Sequence, residues 1–456
     1  MARTLGAPLV RLALVLVLGA AAPLLDTTIA SVALPTLARE FAVGTAGVGW
    51  VSTAYLLAVA VTIPASGWLS ERFGTRRVWL AALVVFAAGS AGAGLAWDLG
   101  SLVAFRSVQG VGAGLVQPVI LTVLVRTAGP EKLGRVLAIV TFVTVLVPIF
   151  GPVAGGLLLA GAGWRWIFFV NVPLCLLAIV AAWFVVPAEP PSRPPRFDAL
   201  GLALLAPALG GVLYGLSRAA TTAGFADPRV LAPLAAGLLL LGAYVVRALR
   251  GDHPLVDLRL FRIRSFAAAG GVQFLTGLSL YGAMFLLPLY YQEVRGQDAL
   301  AAGLLLVPQG LGSLLVRPLG GVVDRVGSAR IVVAGVVVCA LATVPFAAAG
   351  PHTSPFLLGC ALLVRGAGLS AATIAVMAGA FKDVPRAAVS DASTVTRVLQ
   401  QAGGSLGTAV LAVVLAAHTS TTVTAFHSAF SWSVALTALA LVPAFLLRPA
   451  TVRTGR

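Results

Sequence analysis

Long stretches of this sequence contain almost no charge, and this feature constrains the fold more than any other. Between Arg11 and Arg39 the only charged residue is Asp26. Charged residues make up 10% of the 456 residues and hydrophobic residues 59%, whereas soluble globular proteins carry about 25% charged residues. Many windows exceed the roughly 18 apolar residues that mark a membrane-spanning helix. The sequence therefore predicts an all-α membrane protein embedded in the lipid bilayer.

The apolar windows predict fourteen transmembrane helices. They lie near residues 10–34, 47–69, 78–97, 101–125, 136–160, 166–186, 199–216, 230–249, 266–291, 299–322, 330–349, 355–380, 397–417 and 427–447. The first window also resembles a secretory signal peptide, with Arg3 and Arg11 before an apolar run. Because the run continues past its alanine cluster to Pro35, which is long enough to span, we interpret it as the first helix. An even number of helices places both termini on one side of the membrane.

The basic residues indicate which side that is. With a cytoplasmic N-terminus, 23 of the 31 Lys and Arg residues fall in inner segments and five in outer loops, while Arg106, Arg317 and Arg365 lie at membrane depth. This asymmetry follows the positive-inside rule and predicts that both termini are cytoplasmic. The net charge of +16 is therefore explained by short inner loops, and we expect no nucleic-acid partner.

An internal repeat divides the chain. The segment GWLSERFGTRRV at 67–78 matches GGVVDRVGSARI at 320–331 with a constant offset of 253, and Arg106 resembles Arg365 at an offset of 259. Two parallel six-helix repeats indicate the major facilitator fold, with a substrate site between the halves near the bilayer midplane. The predicted domains are an N-terminal six-helix bundle (1–186), a linker with two inserted transmembrane helices (187–265) and a C-terminal six-helix bundle (266–456).

The second polar segment of the linker has two interpretations. Residues 247–266 read RALRGDHPLVDLRLFRIRSF, in which apolar and basic residues alternate. This pattern is typical of a short amphipathic segment on the inner membrane surface. The alternative is a solvated loop.

Asp26 is an acid within a segment that otherwise suits lipid. It lies fifteen residues after Arg11, about 22 Å along a helix, and an ionised carboxylate inside the membrane costs about 2.5–3.5 kcal/mol or more. Burial favours the neutral acid and a nearby cation favours the ionised form, so the group can exchange a proton for a cationic substrate. The alternative is a hydrated residue at the outer end of the first helix.

Two arginines at membrane depth raise similar questions. Arg106 stays charged at physiological pH and must find partners inside the bundle. Since it lies only five residues past the predicted start of its helix, it can alternatively extend to the membrane surface. Arg317 precedes Asp324 by seven residues, two helical turns on the same face. It can pair with an anionic substrate group or with the loop motif, or extend inwards.

Several motifs occur together in the order found in one family. They are LDTTIASVALP (25–35), GWLSERFGTRRV (67–78), FRSVQGVGAG (105–114), VPIFGPVAGG (147–156) and WRWIFFVNVP (164–173). Over nearly its whole length the chain resembles the major facilitator superfamily, and within it the fourteen-helix drug:proton antiporters, which are multidrug efflux transporters. The chain departs from the family's pattern at Ser31, Glu71 and Val147, where Asn, Asp and Gly are common.

The resemblance implies roles for the residues that match these motifs. Asp26 would act in substrate recognition and proton coupling, and Arg106 in proton coupling. The loop motif would form an inner latch that stabilises one face of the transport cycle. The latch residues are Gly67, Glu71, Arg72, Gly74, Arg76 and Arg77, with Asp324 and Arg325 in the second copy. The motif that separates exporters from importers would comprise Gly151, Pro152, Gly155 and Gly156.

Other residues are candidates to line a substrate pocket, although for each one alone packing is a better explanation than ligand contact. They are Tyr55, Gln109, Gln117, Gln273, Tyr281, Gln309 and Arg317. An apolar cavity with few polar groups suits lipophilic, chemically varied ligands. We treat WRWIFFVNVP as a subfamily marker and assign no role to Trp164, Arg165 or Asn171.

The sequence also limits the function classes. We find no paired carboxylates, no nucleophile motif, no His or Cys cluster and no phosphate-binding loop, which argues against an enzyme, a metal site or a bound cofactor. We expect a monomer, driven by the proton gradient, that exports lipophilic, cationic drugs or toxic compounds across the cytoplasmic membrane and so gives antibiotic resistance. The alternatives are a dedicated exporter of one self-made antibiotic or metabolite and a non-transporting membrane receptor.

Overall fold

The structure is a computed structural model that describes residues 7–128, 150–188, 197–219, 227–251, 254–316, 326–380, 384, 389–417 and 422–447. Within these ranges every regular element is helical. The α-helices are α1 (Ala7–Glu40), α2 (Thr45–Thr62), α3 (Ala65–Phe73), α4 (Thr75–Gly94), α5 (Leu99–Ala128), α6 (Phe150–Gly161), α7 (Trp166–Phe169), α8 (Asn171–Val185), α9 (Ala199–Ala219), α10 (Pro228–Arg250), α11 (Arg264–Leu289), α12 (Ala299–Leu315), α13 (Ser328–Ala347), α14 (Pro355–Ala380), α15 (Val389–Ala416), α16 (Thr422–Leu439) and α17 (Leu441–Leu446). A 3-10 helix (Leu258–Arg262) precedes α11, and a π-helical turn (Tyr290–Val294) follows it.

The described helices have the length and composition of membrane spans. Twelve of them are long and apolar enough to cross a bilayer, and α6 and α12 are shorter apolar helices. In hydrocarbon, only a helix or a closed barrel satisfies all of its backbone groups internally. Large apolar side chains such as Phe184, Leu239 and Phe356 project outward, where they suit contact with lipid. The predicted all-α membrane architecture is thus confirmed, while the count of fourteen crossings stays a prediction.

Two apolar cores correspond to the two halves. One is built mainly from α1, α2, α4, α5 and α8, and the other from α11, α13, α14, α15 and α17 together with the two inserted helices. A third core joins the halves at the end of the bundle where α1 ends and α2 begins. Leu34 and Val48 meet Phe285, Tyr290 and Phe430 there. We call this the α1–α2 end, which is the predicted outer end.

The inserted helices α9 and α10 form a hairpin. They pack closely because a Cβ at Gly237 would lie 2.6 Å from the backbone nitrogen of Val212, and small residues permit such contacts in membranes. The hairpin lies against α2 and α15, which belong to different halves, and its Tyr214 ring is 6.3 Å from that of Trp50. The pair therefore covers a seam between the two bundles.

The segment after α10 is a short amphipathic helix rather than a fully solvated loop. Val256 and Leu260 are buried in the same core as Phe266. The basic residues of the 3-10 helix lie on its other side, where Arg259 donates to the carbonyl of Gly251 at 2.6 Å. Its apolar side thus packs on the C-terminal bundle of the protein itself.

The second predicted helix is interrupted. The sequence analysis extended it to residue 69, but α2 ends at Thr62 and α3 begins at Ala65. Pro64 lies in the interruption, and a proline has no N–H to continue the helical ladder. The loop motif is almost entirely helical, with residues 67–73 in α3 and 75–78 in α4, and Gly74 between the two helices has a φ of 86°. Only glycine adopts that conformation without strain.

Candidate functional site

Asp26 is enclosed by protein near the middle of the N-terminal bundle. Its side chain is 1% exposed, and Arg106 Nη1 donates to its Oδ2 in an ion pair. The position lies one helical turn after Pro23, whose carbonyl accepts a hydrogen bond from the Tyr55 hydroxyl at 3.4 Å. A hydrated position at the helix end, the alternative for Asp26, does not agree with this burial.

Arg106 has partners on all sides. Besides Asp26, it donates through Nη1 to Gln109 Oε1 at 2.9 Å and through Nε to the carbonyl of Val51 at 3.1 Å. Its guanidinium carbon lies 4.2 Å from the centre of the Tyr55 ring, a distance suited to cation–π attraction. The side chain is 1% exposed, so it does not extend to the membrane surface.

Two amides complete the coordination of the Asp26 carboxylate. Gln109 Nε2 donates to Asp26 Oδ1 at 3.2 Å and to Ser90 Oγ at 2.5 Å. Asn171, the first residue of α8, donates through Nδ2 to Asp26 Oδ1 at 2.9 Å. We name this group the Asp26 cluster, and its members are Asp26, Tyr55, Ser90, Arg106, Gln109 and Asn171. It draws on five different helices, so any movement between them alters its geometry.

The electrostatics of the Asp26 cluster depend on one proton. With Asp26 ionised the ion pair has no net charge, and the amide donors stabilise the carboxylate. With Asp26 protonated the guanidinium remains charged and has lost its counter-ion. Protonation therefore converts a neutral cluster into a cationic one.

A second buried arginine occupies the C-terminal half. Arg365 donates to Gln309 Oε1 at 3.0 Å, to the Ser279 carbonyl at 2.9 Å and to Thr343 Oγ1 at 3.2 Å. Thr437 donates to Ser279 Oγ at 2.7 Å. We name these five residues the Arg365 cluster. Ser279 and Thr343 lie 253 residues after Asp26 and Ser90, the same offset as the repeated loop motif.

The structure divides the predicted pocket residues between these clusters and other positions. Tyr55 and Gln109 belong to the Asp26 cluster, and Gln309 belongs to the Arg365 cluster. Gln117 is half-buried on α5, eleven residues beyond Arg106, which is about 16 Å along the helix. Gln273 contacts the Met377 sulfur at 3.9 Å. Neither of these two glutamines contacts Asp26.

Arg397 is a residue that the sequence analysis misplaced. It was counted among the inner basic residues, at the first position of the predicted helix 397–417, but α15 begins at Val389, so Arg397 lies inside a membrane-spanning helix. Arg397 lies close to Tyr281. The Tyr281 side chain is also hydrogen-bonded to Gln401, which follows Arg397 by one helical turn in α15. Among the described residues Arg397 forms no ion pair. A cation at this depth is expensive and marks a functional position by default.

The first copy of the loop motif is present in the described residues. Arg76 donates to the carbonyl of Trp183 in α8, and its guanidinium carbon lies 4.8 Å from the Trp183 ring. Glu71, Arg72 and Arg77 are exposed. A Cβ at Gly67 would meet no described atom within 4 Å, so none of the described helices approaches closely there. The other predicted residues of this region, Arg317, Asp324 and Arg325, lie outside the described residues.

The glycines of α6 bring three helices together near the α1–α2 end. A Cβ at Gly151 would overlap the Thr28 hydroxyl, and one at Gly155 would lie 3.2 Å from Ile29 Cα. Gly156 faces the backbone of Leu300 in α12, and the Pro152 carbonyl lies against Gly303 of the same helix. The predicted exporter motif thus packs one helix against both halves at once.

Sequence reasoning missed two members of the Asp26 cluster, Ser90 and Asn171. Asn171 stands in the quoted motif WRWIFFVNVP, but no role was assigned to it. A signal existed, because a polar amide in an apolar stretch must find a hydrogen-bond partner in the membrane. Ser90 gave no such signal, since a buried serine can bond to its own helix.

An all-helical membrane bundle with two equivalent halves, each built around a buried arginine, is the architecture of a membrane transporter with internal repeats. The family model described as Major Facilitator Superfamily matches residues 16–408. The chain belongs to this superfamily, as its motifs led us to expect.

Comparisons with individual proteins agree with this assignment. The chain is 39% identical over 411 residues to a protein named Multidrug resistance protein B homolog from Mycobacterium tuberculosis, covering 89% of this chain and 76% of the relative. It is 31% identical over 396 residues to the Tetracenomycin C resistance and export protein of Streptomyces glaucescens, covering 86% and 73%. The crystal structure of a D-xylose-proton symporter superimposes with a TM-score of 0.69 at 17% identity, covering 97% and 98%. The last likeness concerns the fold alone.

Proposed function

We propose that this protein is a proton-coupled antiporter that exports lipophilic, cationic drugs or toxic compounds across the cytoplasmic membrane. The observation that carries the proposal is the buried ion pair between Asp26 and Arg106. It joins one titratable acid to one permanent cation inside membrane-spanning helices. The names of the relatives, which refer to multidrug resistance and to export, support the same function.

Exchange follows from the charge of the Asp26 cluster. A cationic substrate is tolerated near the neutral ion pair and is repelled once protonation leaves Arg106 unpaired. At about 6 Å and an effective dielectric constant of about 20, two like charges repel by about 3 kcal/mol, roughly a hundredfold in affinity. Proton binding and cation binding therefore oppose each other, which is the requirement for antiport.

The remaining features of the proposal follow from this mechanism. The proton gradient supplies the energy, so the protein needs no bound cofactor and performs no covalent chemistry as an enzyme would. Both termini lie in the cytoplasm, as the distribution of basic residues predicts. Because the Asp26 cluster is formed within one chain, a monomer suffices for function.

The test uses everted membrane vesicles energised by respiration and containing an acid-sensing dye. Ethidium and other lipophilic cations are added to wild type and to Asp26→Asn. We expect cation-triggered proton release from wild type only. The matched control is Ser279→Ala, which removes the hydroxyl at the equivalent position of the Arg365 cluster and should retain proton release. Equal activity of Asp26→Asn and wild type would falsify the role of Asp26, and binding without proton movement would favour a receptor.

A second function has its own supporting observation. The described membrane-spanning helices bury two guanidinium groups, Arg106 and Arg365, against one buried acid, Asp26, and Arg397 lies half-buried within α15. An excess of positive charge suits a substrate with an anionic or zwitterionic part. This favours a dedicated exporter of one self-made antibiotic or metabolite, the kind of substrate in the name of the Streptomyces relative. In the vesicle assay such a protein would ignore ethidium and respond to an anionic natural product, and Arg397→Gln would weaken that response.

A further inference from the structure

Asn171 has one hydrogen-bonding atom that the structure leaves unused. The side chain is fully buried, and its Nδ2 donates to Asp26 Oδ1 at 2.9 Å. Its own Oδ1 is buried and has no hydrogen-bond partner among the described residues. A buried polar atom without a partner is costly, so a residue that keeps one calls for an explanation.

The explanation lies in what Asp26 needs after it binds a proton. A carboxylate accepts hydrogen bonds only, whereas a carboxylic acid also donates one. Arg106 has no acceptor atom. Gln109 Oε1 already accepts from Arg106, and Ser90 Oγ already accepts from Gln109. Within the described part of the Asp26 cluster, Asn171 Oδ1 is the side-chain acceptor that takes part in no hydrogen bond at all.

We propose that Asn171 is a positioning residue that hydrogen-bonds Asp26 in both of its protonation states. It donates through Nδ2 to the carboxylate. When a proton from water binds Asp26 Oδ1, the Asn171 amide turns by half a rotation about its Cβ–Cγ bond, and its Oδ1 accepts from the new hydroxyl. The covalent changes are the O–H bond of a hydronium ion that breaks, releasing water, and the O–H bond that forms on Asp26 Oδ1. The inference rests on the proposed function, in which Asp26 takes up the coupling proton.

Replacing Asn171 destabilises the ionised and the protonated forms of Asp26 by different amounts. A hydrogen bond to a charged carboxylate is about twice as strong as one between neutral groups. Removing the amide therefore destabilises the ionised form more than the neutral form. The pH at which Asp26 is half-protonated should rise by roughly one unit.

The other groups around Asp26 stay the same in such a variant. Three charged or titratable side chains face it from the described helices: Arg106 from α5, Tyr55 from α2 and Cys175 from α8. α4 contributes the neutral Ser90. A shift in the titration of Asp26 thus reports on Asn171 and not on a change of charge nearby.

The experiment is an infrared pH titration of the full-length protein reconstituted in lipid. The C=O stretching band of protonated Asp26 is identified by its absence in Asp26→Asn. Asn171→Leu keeps the size of the side chain and removes both polar atoms. We expect the midpoint of its titration to rise by roughly one unit and the frequency of the band to move, because the hydroxyl has lost its acceptor.

Two further variants keep the test decisive. Asn171→Ser retains a group that donates and accepts, and it should restore most of the wild-type midpoint even if Asn171→Leu folds poorly. Thr437→Val removes a buried hydrogen bond within the Arg365 cluster and should leave the band unchanged. A midpoint and band in Asn171→Leu and Asn171→Ser identical to wild type would overturn the role of Asn171 alone, with antiport intact. If no Asp26 band titrates in wild type, both this inference and the proposed function fail.

Discussion

The two halves of this protein hold a buried arginine in nearly the same surroundings but differ in one charge. In the Asp26 cluster Arg106 faces a carboxylate. In the Arg365 cluster the equivalent position is Ser279, so the second guanidinium is held by a carbonyl, a hydroxyl and an amide oxygen. Both arginines are 1% exposed. The two arginines are equally buried, but only the Asp26 cluster contains a group that can bind a proton and so change the charge of its cluster.

The difference indicates a division of labour. A guanidinium does not lose its proton at physiological pH, so the Arg365 cluster keeps its charge throughout a transport cycle and serves to hold its helices together. The Asp26 cluster can change its charge because it contains a carboxylate. A transporter built from two copies of one repeat thus needs only one of them to respond to protons.

The largest expected effect is a difference in stability between two variants, Arg106→Leu and Arg365→Leu, because they leave different groups without a partner. Arg106→Leu leaves the Asp26 carboxylate buried without its counter-ion, which costs about 3–5 kcal/mol of stability. Arg365→Leu leaves only neutral acceptors without a donor, at about 1–3 kcal/mol. The midpoint of thermal unfolding in detergent should fall further for Arg106→Leu.

A double variant checks the cause of that loss. Adding Asp26→Asn to Arg106→Leu removes the stranded charge and should recover part of the stability, whereas adding it to Arg365→Leu should not. Equal losses of stability in the two single variants would mean that the unpaired carboxylate adds nothing to the cost of removing Arg106, and the comparison between the clusters would fail.

A smaller effect is expected when the missing acid is supplied to the Arg365 cluster. Ser279→Asp places a carboxylate beside Arg365 and should be more stable than Ser279→Asn by about 1–2 kcal/mol at pH 7. An acid stabilised in its ionised form contributes above its ordinary titration near pH 4 and loses that contribution as the pH falls. The two variants should therefore converge in stability at low pH.

The same substitution tests whether position or charge matters for transport. Ser279→Asp combined with Asp26→Asn moves the acid from one half to the other. We expect no proton-linked transport in the vesicle assay, because an asparagine at position 26 cannot take up a proton, so the surroundings of Arg106 no longer change their charge. Restored transport would show that the two clusters are interchangeable.

The sequence was sufficient to predict the fold and the charged residues on which this comparison rests. Apolar windows predicted the helices, and a carboxylate or guanidinium in such a window is costly enough to stand out. Asp26 and Arg106 were therefore found, and the repeat paired Arg106 with Arg365. Their mutual contact follows from helix packing, since they lie 80 residues apart.

The parts that were missed share a physical reason. Ser90 and Asn171 are neutral, and a neutral side chain in an apolar helix does not indicate whether it bonds to its own backbone or to a distant partner. Asn171 reaches Asp26 across 145 residues. Arg397 was counted among the inner basic residues because the residues before it are polar, yet they form the first turns of α15. A helix that faces the seam between two bundles does not need an apolar beginning.

The smallest effect concerns a second, less buried ion pair, which shows what burial adds. Asp198 and Arg247 join the two inserted helices at 2.6 Å, and the Arg247 side chain is 40% exposed. Burial raises the pKa of Asp198, but hydrogen bonds from Arg247 and from the backbone of Gly201 and Leu255 outweigh it and hold the pKa below its usual value.

Asp198→Asn keeps the cap on Gly201 and loses the charge, so we expect a loss of only about 0.5–1 kcal/mol at pH 7. Because the folded-state pKa is lowered, this contribution is present above the unfolded value near pH 4 and disappears as the pH falls through the folded value. Thermal unfolding of both proteins at neutral and acidic pH measures it, and 1 M salt should reduce it while leaving the buried Asp26–Arg106 pair unaffected. A loss as large as that in Arg106→Leu would mean that burial does not set the strength of ion pairs in this protein.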